Sequence, residues 1–430
     1  MLSASVGFVA ALLLIFLRVP IALALAAVGI FGFAYLVGWN QAGVMLALVS
    51  RESTMSYGLV VIPLFILMGN FVAGAGISGD LYRAAQAYFG HRRGGLATAT
   101  VLSCGGFAAV CGSSVATVVT IGKVALPSME KYNYAGSLSA ASVAAGATLG
   151  IIIPPSIMLV IYGIMTETHI GKLYVAGLVP GLMGVVGYVL AVQWSVWRKP
   201  EIAPLAERAP AEERRGVLKA IWPICTLFIF VVGGIYAGFF TAAEASGIGA
   251  FGAFMLAWTN NRLTWARLLD ILYDSAMTSA MLIALLIGAS VFTEFLNYTG
   301  AHTGLLEFVT GAGLPPVGII LMICAIYIVL GALMEELSMI LLTVPLFFPI
   351  VTGLGYDPVW FGALVVVLCE LGMIAPPVGV NLFVVRSIAP TIPLAEIIRG
   401  IGPFIVANIF RIIIIAVFPA LTLFLPNLLF

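Results

Sequence analysis

The chain has 430 residues, of which 62% are hydrophobic and only 9% are charged, and its net charge is +1. Soluble globular proteins carry about 25% charged residues, so this composition excludes a water-soluble enzyme. Disordered chains are poor in aromatic residues, so the composition excludes a disordered chain as well. A net charge this close to zero gives no reason to expect nucleic acid as a partner. What remains is a polytopic protein of the lipid bilayer, in which a helix needs about 20 apolar residues to cross.

Apolar stretches predict roughly ten membrane-spanning helices. Met1 to Leu17 is apolar but lacks a basic start and a small-residue cleavage site, so we interpret this segment as a span and not as a signal peptide. The other spans are predicted, in chain order, at residues 20–38, 57–75, 137–163, 173–197, 218–238, 240–258, 274–297, 359–386 and 403–425.

Two further apolar blocks differ from these spans. Residues 96–127 and 318–352 are each interrupted near the middle, the first by Cys111–Ser114 and the second by Met334–Glu336. Each block predicts either two full spans or a re-entrant hairpin. Both alternatives return the chain to the side of the membrane that it left.

The basic residues predict the orientation of the chain. Residues 198–219 form a polar linker, and placing this linker in the cytoplasm puts most of the 19 Lys and Arg residues on that side, with Arg51 and Lys172 outside. Because cytoplasmic loops carry the excess of Lys and Arg, we predict this orientation, with both termini in the periplasm. The linker joins a first half, residues 1–197, to a second half, residues 220–430.

The two halves contain similar segments. Residues 149–155 read LGIIIPP and residues 371–377 read LGMIAPP, and the offset that pairs Leu149 with Leu371 also aligns the two interrupted blocks. By the predicted spans, the second segment crosses the membrane in the opposite direction from the first. This is the inverted-topology repeat of many secondary transporters, which bind their substrate between the repeats near the middle of the membrane.

The paired prolines predict a break in the helix of each half. A proline inside a helix removes a backbone donor and clashes with a carbonyl one turn earlier, and here each pair follows a nearby glycine, Gly150 or Gly372. In lipid such a break survives only inside protein or beside a polar cavity. Unwound carbonyls are suitable ligands for Na⁺, and a simple proline kink is the structural alternative.

The interruptions of the two blocks carry polar groups at membrane depth. Residues Gly112–Thr117 supply hydroxyls and exposed backbone, although small residues also allow close packing of helices. The second interruption contains Glu335, Glu336 and Ser338, and ionisable residues at this depth are candidates for function. An interfacial position is the alternative for one of the two glutamates.

Two further polar residues lie near the second break. Asn381 follows the proline pair by four residues and is a candidate to supply an amide to the same cavity, whereas Glu370 is either functional or part of a structural ion pair or hydrogen bond. The sequence contains no GxxxxGK[ST] phosphate loop and no HExxH or GxSxG pattern. We therefore expect neither ATP hydrolysis by this chain nor proteolysis, and no cofactor.

Together these segments resemble the large membrane subunit of a tripartite ATP-independent periplasmic (TRAP) transporter, in the ion transporter superfamily. The resemblance extends over essentially the whole chain and rests on residues 62–70, 111–117, 150–156, 336–349 and 375–383. It implies a Na⁺-coupled importer with an elevator mechanism, to which a periplasmic binding protein delivers an organic anion, often a carboxylate. It also implies a small four-helix membrane subunit, which we expect as a separate chain because no such helices precede Met1.

The resemblance also implies where ligands bind. It places Na⁺ near the hairpin tips and the broken helices, at Gly112, Ser113, Ser114, Thr117, Ile153, Pro154, Glu336, Ser338, Thr343, Ala375, Pro376 and Asn381. The candidate substrate ligands are Ser113, Ser156, Asn381 and Arg386, with Lys123 as a further cation. Alternatively, Arg386 is a cytoplasmic anchor of the topology, and helix N-termini at the tips bind a carboxylate without an arginine.

We therefore expect an all-α, multi-pass protein of the bacterial inner membrane, with two re-entrant hairpins in two inverted repeats. The outer spans form the scaffold, and both hairpins with both broken helices form the moving unit. One alternative is a self-sufficient Na⁺–dicarboxylate symporter that needs no binding protein. A second is a membrane-embedded enzyme acting on lipid or isoprenoid substrates, against which the absence of clustered Asp, His and Glu motifs counts.

Overall fold

The computed structural model describes residues 2–206, 208–260, 263–301, 304 and 315–430, and within these ranges it contains nineteen helices and no strand. Glu207, in the predicted linker, lies outside the described residues. The helices of the first half are α1 (Leu2–Phe16), α2 (Ile21–Val37), α3 (Trp39–Met55), α4 (Val61–Gly74), α5 (Ile77–Phe89), α6 (Gly95–Cys111), α7 (Ser114–Lys131), α8 (Gly136–Thr148), α9 (Ile157–Thr166) and α10 (Ile170–Arg198). Those of the second half are α11 (Ala211–Tyr236), α12 (Ala242–Thr259), α13 (Trp265–Tyr298), α14 (Pro316–Gly331), α15 (Glu336–Gly353), α16 (Pro358–Ile374), α17 (Val380–Ile388), α18 (Leu394–Val417) and α19 (Pro419–Leu429).

Helix length separates two groups among these elements. Within the described ranges, six helices are long and apolar enough to cross a membrane, including α10 with 29 residues and α13 with 34. Others are apolar but shorter, such as α8 with 13 residues. At 1.5 Å per residue α8 is about 20 Å long, less than the roughly 30 Å of the hydrocarbon core. The chain is a multi-pass membrane protein, and the number of about ten crossings stays a prediction.

At three places the helices depart from the boundaries expected from the sequence. Residues 39–55 fall between two predicted spans, yet they form α3, because polar residues lower the hydropathy of a segment without preventing a helix. Helix α11 begins at Ala211, inside the predicted linker, where two glutamates in its first turn complement the positive end of the helix dipole. The last predicted span, residues 403–425, is divided between α18 and α19 at Pro419.

The offset between the two halves recurs in the helices. Helices α7 and α15 begin and end at positions related by the offset that pairs Leu149 with Leu371, and α8 and α16 begin at positions related in the same way. The packing follows this correspondence, since α7 contacts α17 while α15 contacts α9, and α8 contacts α18 while α16 contacts α10. Each hairpin therefore contacts the helix that follows the break in the other half. The inverted orientation of the halves stays a prediction.

Helices α8 and α16 lie at the centre of the protein. Every residue from Leu138 to Thr148 in α8 and from Val359 to Ile374 in α16 is buried. Helix α8 consists mainly of alanine, glycine and serine, which let neighbouring helices approach closely. Because the two breaks directly follow these helices, each break begins at the end of a buried central helix.

Candidate functional site

The first break separates α8 from α9. Residues 152–156 leave the helix, and the Pro154–Pro155 peptide bond is cis. Ser156 joins the two helix ends, because its Oγ donates to the Ile151 carbonyl at 2.5 Å and accepts from the Leu159 N–H at 3.2 Å. This hydroxyl, a predicted substrate ligand, is thus used to satisfy backbone groups at the two helix ends.

The second break separates α16 from α17. Residues 375–379 leave the helix, and the Pro376–Pro377 bond is also cis. Gly379 has a φ of 49°, in the left-handed region that favours glycine. Pro376 and Pro377 are exposed, whereas the first proline pair is buried. In this conformation the first break is covered by protein, and the second reaches the surface.

Both breaks leave backbone carbonyls without hydrogen bonds. Within the described part of the chain, no group donates to the carbonyls of Ile153 and Pro154 at the first break, or of Ala375 and Pro376 at the second. An unpaired carbonyl away from water is costly. At the first break, where both prolines are buried, the Ile153 and Pro154 oxygens therefore favour a cation or another partner of positive charge beside them, whereas the exposed Pro376 at the second break is open to water. All four oxygens are predicted Na⁺ ligands.

The tip of the α6–α7 hairpin lies against the first break. Gly112 has a φ of 64°, and a Cβ at this position would lie 3.1 Å from the Pro155 carbonyl oxygen. Ser113 caps α7, because its Oγ accepts from the Ala116 N–H at 3.3 Å. The Thr117 hydroxyl donates to the Ser113 carbonyl at 2.7 Å. Tip and break are therefore in contact, and glycine allows their backbones to approach.

Asn381 links the second half to the first tip. Its Nδ2 donates to Ser114 Oγ at 2.7 Å and to the Ala144 carbonyl at 3.0 Å, which joins α17 to α7 and α8. Its Oδ1 is buried and accepts no hydrogen bond from any residue that the structure describes. Asn381 thus presents an unused acceptor where the two halves meet.

The tip of the α14–α15 hairpin lies against the second break. The Val378 N–H donates to the Ala332 carbonyl at 3.3 Å. Beside this bond the hairpin arm α14 approaches α16 so closely that a Cβ on Gly372 would lie 2.7 Å from the Cα of Gly331. The relation between tip and break in the first half therefore recurs in the second.

The second tip separates its two glutamates. Glu336 is buried, and its Oε2 has no hydrogen-bond partner among the described residues, whereas Glu335 is exposed. Ser338 is buried in the same helical turn as Glu336. Thr343 is seven residues beyond Glu336, about 10 Å along α15, and its hydroxyl bonds to Tyr327 at 2.7 Å. Glu336 and Ser338 lie at the tip, and Thr343 does not.

The two basic candidates for substrate binding lie away from the tips. The Arg386 guanidinium, at the end of α17, donates to the carbonyl of Pro390 and, at 2.7 Å, to that of Ile392. This side chain therefore holds the loop that follows α17. Lys123 is exposed on α7 and forms no salt bridge with a residue that the structure describes.

A buried polar network, which the sequence did not predict, connects the two central helices. The Arg411 guanidinium on α18 donates to Glu370 on α16, and both side chains are buried. Arg411 also donates to Asn408 Oδ1 at 2.8 Å, and Asn408 Nδ2 donates to the Tyr188 hydroxyl at 3.1 Å. That hydroxyl lies 3.1 Å from Thr148 Oγ1 on α8. Side chains from four helices therefore form one chain of hydrogen bonds.

The network ends at corresponding positions of the two halves. Thr148 and Glu370 are related by the offset between the halves, and each precedes the glycine of its break by two residues. The structural ion pair considered for Glu370 is confirmed. Its partner was missed, although a basic residue such as Arg411 inside an apolar helix is itself a signal of a buried pair.

Breaking this ion pair on one side should destabilise the protein. We expect Arg411→Met to cost about 3–5 kcal/mol, because it leaves the Glu370 carboxylate buried without its counter-charge. The double variant Glu370→Gln/Arg411→Met removes both charges and should lose less stability than Arg411→Met alone. Thermal unfolding in detergent, followed by tryptophan fluorescence, measures both effects. Equal melting temperatures for Arg411→Met and the wild type would contradict the role of the pair.

Known proteins share this fold. The structure is similar to the crystal structure of the Alcanivorax borkumensis YdaH transporter, with a TM-score of 0.56 over 84% of this chain and 85% of that chain, at 15% sequence identity. At this identity the similarity concerns the fold alone.

The sequence identifies the family more narrowly. The sequence model of the family described as "Tripartite ATP-independent periplasmic transporter, DctM component" matches residues 8–421. The chain is 36% identical over 384 residues to the C4-dicarboxylate TRAP transporter large permease protein DctM of Pseudomonas aeruginosa, covering 89% of each. It is 31% identical over 432 residues to the ectoine/5-hydroxyectoine TRAP transporter large permease protein UehC of Ruegeria pomeroyi, covering 98% of each. The chain therefore belongs to the DctM family of TRAP transporters, as a large permease subunit and not as an enzyme.

Proposed function

We propose that this permease subunit imports a small organic anion across the bacterial inner membrane together with Na⁺. The observation that carries the proposal is the set of oxygens at the two breaks and the first tip that accept no hydrogen bond from a residue within the described ranges. These are the carbonyls of Ile153, Pro154, Ala375 and Pro376 and the Oδ1 of Asn381. Carbonyls released where a membrane helix unwinds are typical Na⁺ ligands in transporters built from repeats.

Charge at the second tip supports the same proposal. Glu336 is buried, and its Oε2 is unpaired among the described residues. An uncompensated buried carboxylate costs several kcal/mol, so a cation beside Glu336 would offset part of this cost. The other buried glutamate, Glu370, already has Arg411 as its counter-charge. Glu336 is thus the better acidic candidate for a Na⁺ site.

We further propose an elevator mechanism, in which the hairpins and the broken helices move as one unit. The contacts of α7 with α17 and of α15 with α9 hold the two halves of this unit together. A cavity of about 460 Å³, lined half by polar and half by apolar residues, lies between this unit and helices α3 and α13. Its lining includes Glu52, Ser53 and Glu294 on one side and Thr166 and Glu167 on the other. An unfilled gap between the moving unit and the scaffold favours sliding over rigid packing.

The anion is proposed to reach the permease from a periplasmic binding protein, with a small four-helix membrane subunit as a separate partner chain. The relatives above are named for C4-dicarboxylate and for ectoine transport. We propose a carboxylate such as a dicarboxylate, a sialic acid or a sugar acid as the substrate of this chain. The N-terminus of α7 at the first tip suits a carboxylate, because helix N-termini bind anions, whereas the first turn of α15 already carries the Glu336 carboxylate.

Uptake into proteoliposomes tests the whole proposal. The chain is reconstituted with a small membrane subunit and a periplasmic binding protein from the same organism. We expect uptake only when all three are present and the Na⁺ gradient points inward, and a Na⁺ ionophore should abolish it. Uptake by the purified chain alone would favour a stand-alone symporter, and uptake that does not depend on Na⁺ would overturn the coupling.

The Na⁺ sites can be tested at the first tip. Ser113→Ala, Ser114→Ala and Asn381→Ala are each expected to weaken the apparent Na⁺ affinity by roughly 5- to 30-fold, as the loss of a contact of about 1–2 kcal/mol implies. Ser142→Ala is the matched control, because Ser142 is buried on α8 and its hydroxyl donates to the Leu138 carbonyl at 2.7 Å, within the same helix. Unchanged Na⁺ affinity in all three variants would show that the sites are misplaced.

The two neighbouring glutamates provide a matched pair at the second tip. Glu336→Gln removes the buried charge and keeps the shape, so we expect an apparent Na⁺ affinity lower by roughly 10- to 100-fold, corresponding to about 1.5–3 kcal/mol. Glu335→Gln removes the same charge from an exposed position and should have little effect. The measurement is the Na⁺ dependence of initial uptake rates. Equal effects of the two substitutions would contradict a specific role for Glu336.

A further inference from the structure

A long apolar groove runs between α10 and α18 on the outside of the protein. Its volume is about 960 Å³, and Leu182, Val186 and Leu190 of α10 face Val406 and Phe410 of α18 along it. Each of these five side chains is more than half exposed. The groove is therefore open to the outside of the protein, and its apolar side chains are of the kind that contacts lipid acyl chains.

One end of this groove opens into a second cavity of about 770 Å³, called the cup below, which is lined by charged as well as apolar side chains. The groove and the cup share Trp194, Arg198 and Pro403, so the two spaces are continuous. Besides Arg198, the cup is lined by Lys199 and Arg399. None of these three basic side chains forms a salt bridge with a residue that the structure describes.

The single carboxylate of the cup does not cancel this charge. Glu396 also lines the cup, and its Oε1 accepts from the Ser137 N–H at 3.0 Å. This bond caps the first turn of α8, so Glu396 is engaged with the protein backbone. Three cations against one engaged carboxylate leave the cup positively charged.

We propose that this site binds one anionic phospholipid, with the phosphate in the cup and an acyl chain in the groove. The two spaces match the two chemical parts of such a molecule, a negatively charged headgroup and an apolar chain. The distance also fits, since Val186 to Arg198 covers twelve residues of α10, or about 18 Å, close to the roughly 15 Å of one leaflet. The proposal does not depend on Na⁺ coupling.

The site has a structural consequence. Helices α10 and α18 also carry Tyr188, Asn408 and Arg411 of the buried network, which connects the central helices α8 and α16. The lipid would therefore lie on the outer side of α10 and α18. A lipid that binds there would hold α10 and α18 at a fixed spacing.

Native mass spectrometry of the detergent-purified chain tests this proposal. Cardiolipin, phosphatidylglycerol, phosphatidylethanolamine and inorganic phosphate are titrated separately. For Arg198→Gln/Arg399→Gln we expect the affinity for the two anionic lipids to fall about tenfold or more, because each basic residue contributes about 1 kcal/mol to binding such lipids. Arg92→Gln/Arg93→Gln removes the same charge from an exposed loop outside the cup and should leave the affinity unchanged.

A second pair of variants tests the groove. Gly187 lies on the floor of the groove, so Gly187→Leu should displace the acyl chain and reduce lipid binding, whereas Gly233→Leu on the surface of α11, where the space is open, should not. Equal losses of lipid in the two arginine double variants would overturn the proposal in favour of nonspecific charge attraction. Tight binding of inorganic phosphate that Gly187→Leu leaves intact would also overturn it, because the cup would then be a site for soluble anions. Thermal unfolding of each variant checks that it is folded.

Discussion

A backbone carbonyl that has left its helix inside a membrane needs a partner, because hydrocarbon offers none. Two proline pairs create this condition twice in the chain, after two almost fully buried helices, α8 and α16. The neighbouring elements pack around these breaks. A hairpin tip lies against each break, and each hairpin also contacts the helix that follows the break of the other half. The candidate ion sites are the oxygens that still lack a hydrogen bond after this packing.

The two halves correspond in position but differ in charge. Ser114 of the first half corresponds to Glu336 of the second, and Thr148 corresponds to Glu370, both by the same offset. In both pairs the first half has a hydroxyl and the second a carboxylate. One of the two carboxylates is neutralised by Arg411, and the other has no basic partner among the described residues. The negative charge available to a cation is therefore concentrated at the second tip, although the backbone supplies similar oxygens in both halves.

The breaks also differ in exposure, since the first is covered and the second reaches the surface. If the halves are inverted repeats, a covered first break and an exposed second break correspond to one end state of a transporter that works by alternating access. In such a state the binding site is closed towards one side of the membrane and open towards the other. The buried network connects α8 and α16, the helices that precede the two breaks, and so links the two breaks to each other through side-chain hydrogen bonds.

The sequence by itself determined the membrane class, the family, the positions of the breaks within a few residues, and the roles of glycine and proline there. These features are local or compositional, because proline chemistry, apolar runs and repeats do not depend on distant contacts. Only the tertiary structure decided which candidates lie together. Asn381 reaches Ser114 across 267 residues, Glu370 pairs with Arg411 on another helix, and Thr343 turns away to Tyr327. Such pairings depend on how the helices pack, because a polar side chain on a helix can bond to any of several neighbouring helices. The helix α3 and the partner of Glu370 were missed for the same reason, since hydropathy reports burial in lipid and not the contacts that stabilise a polar group.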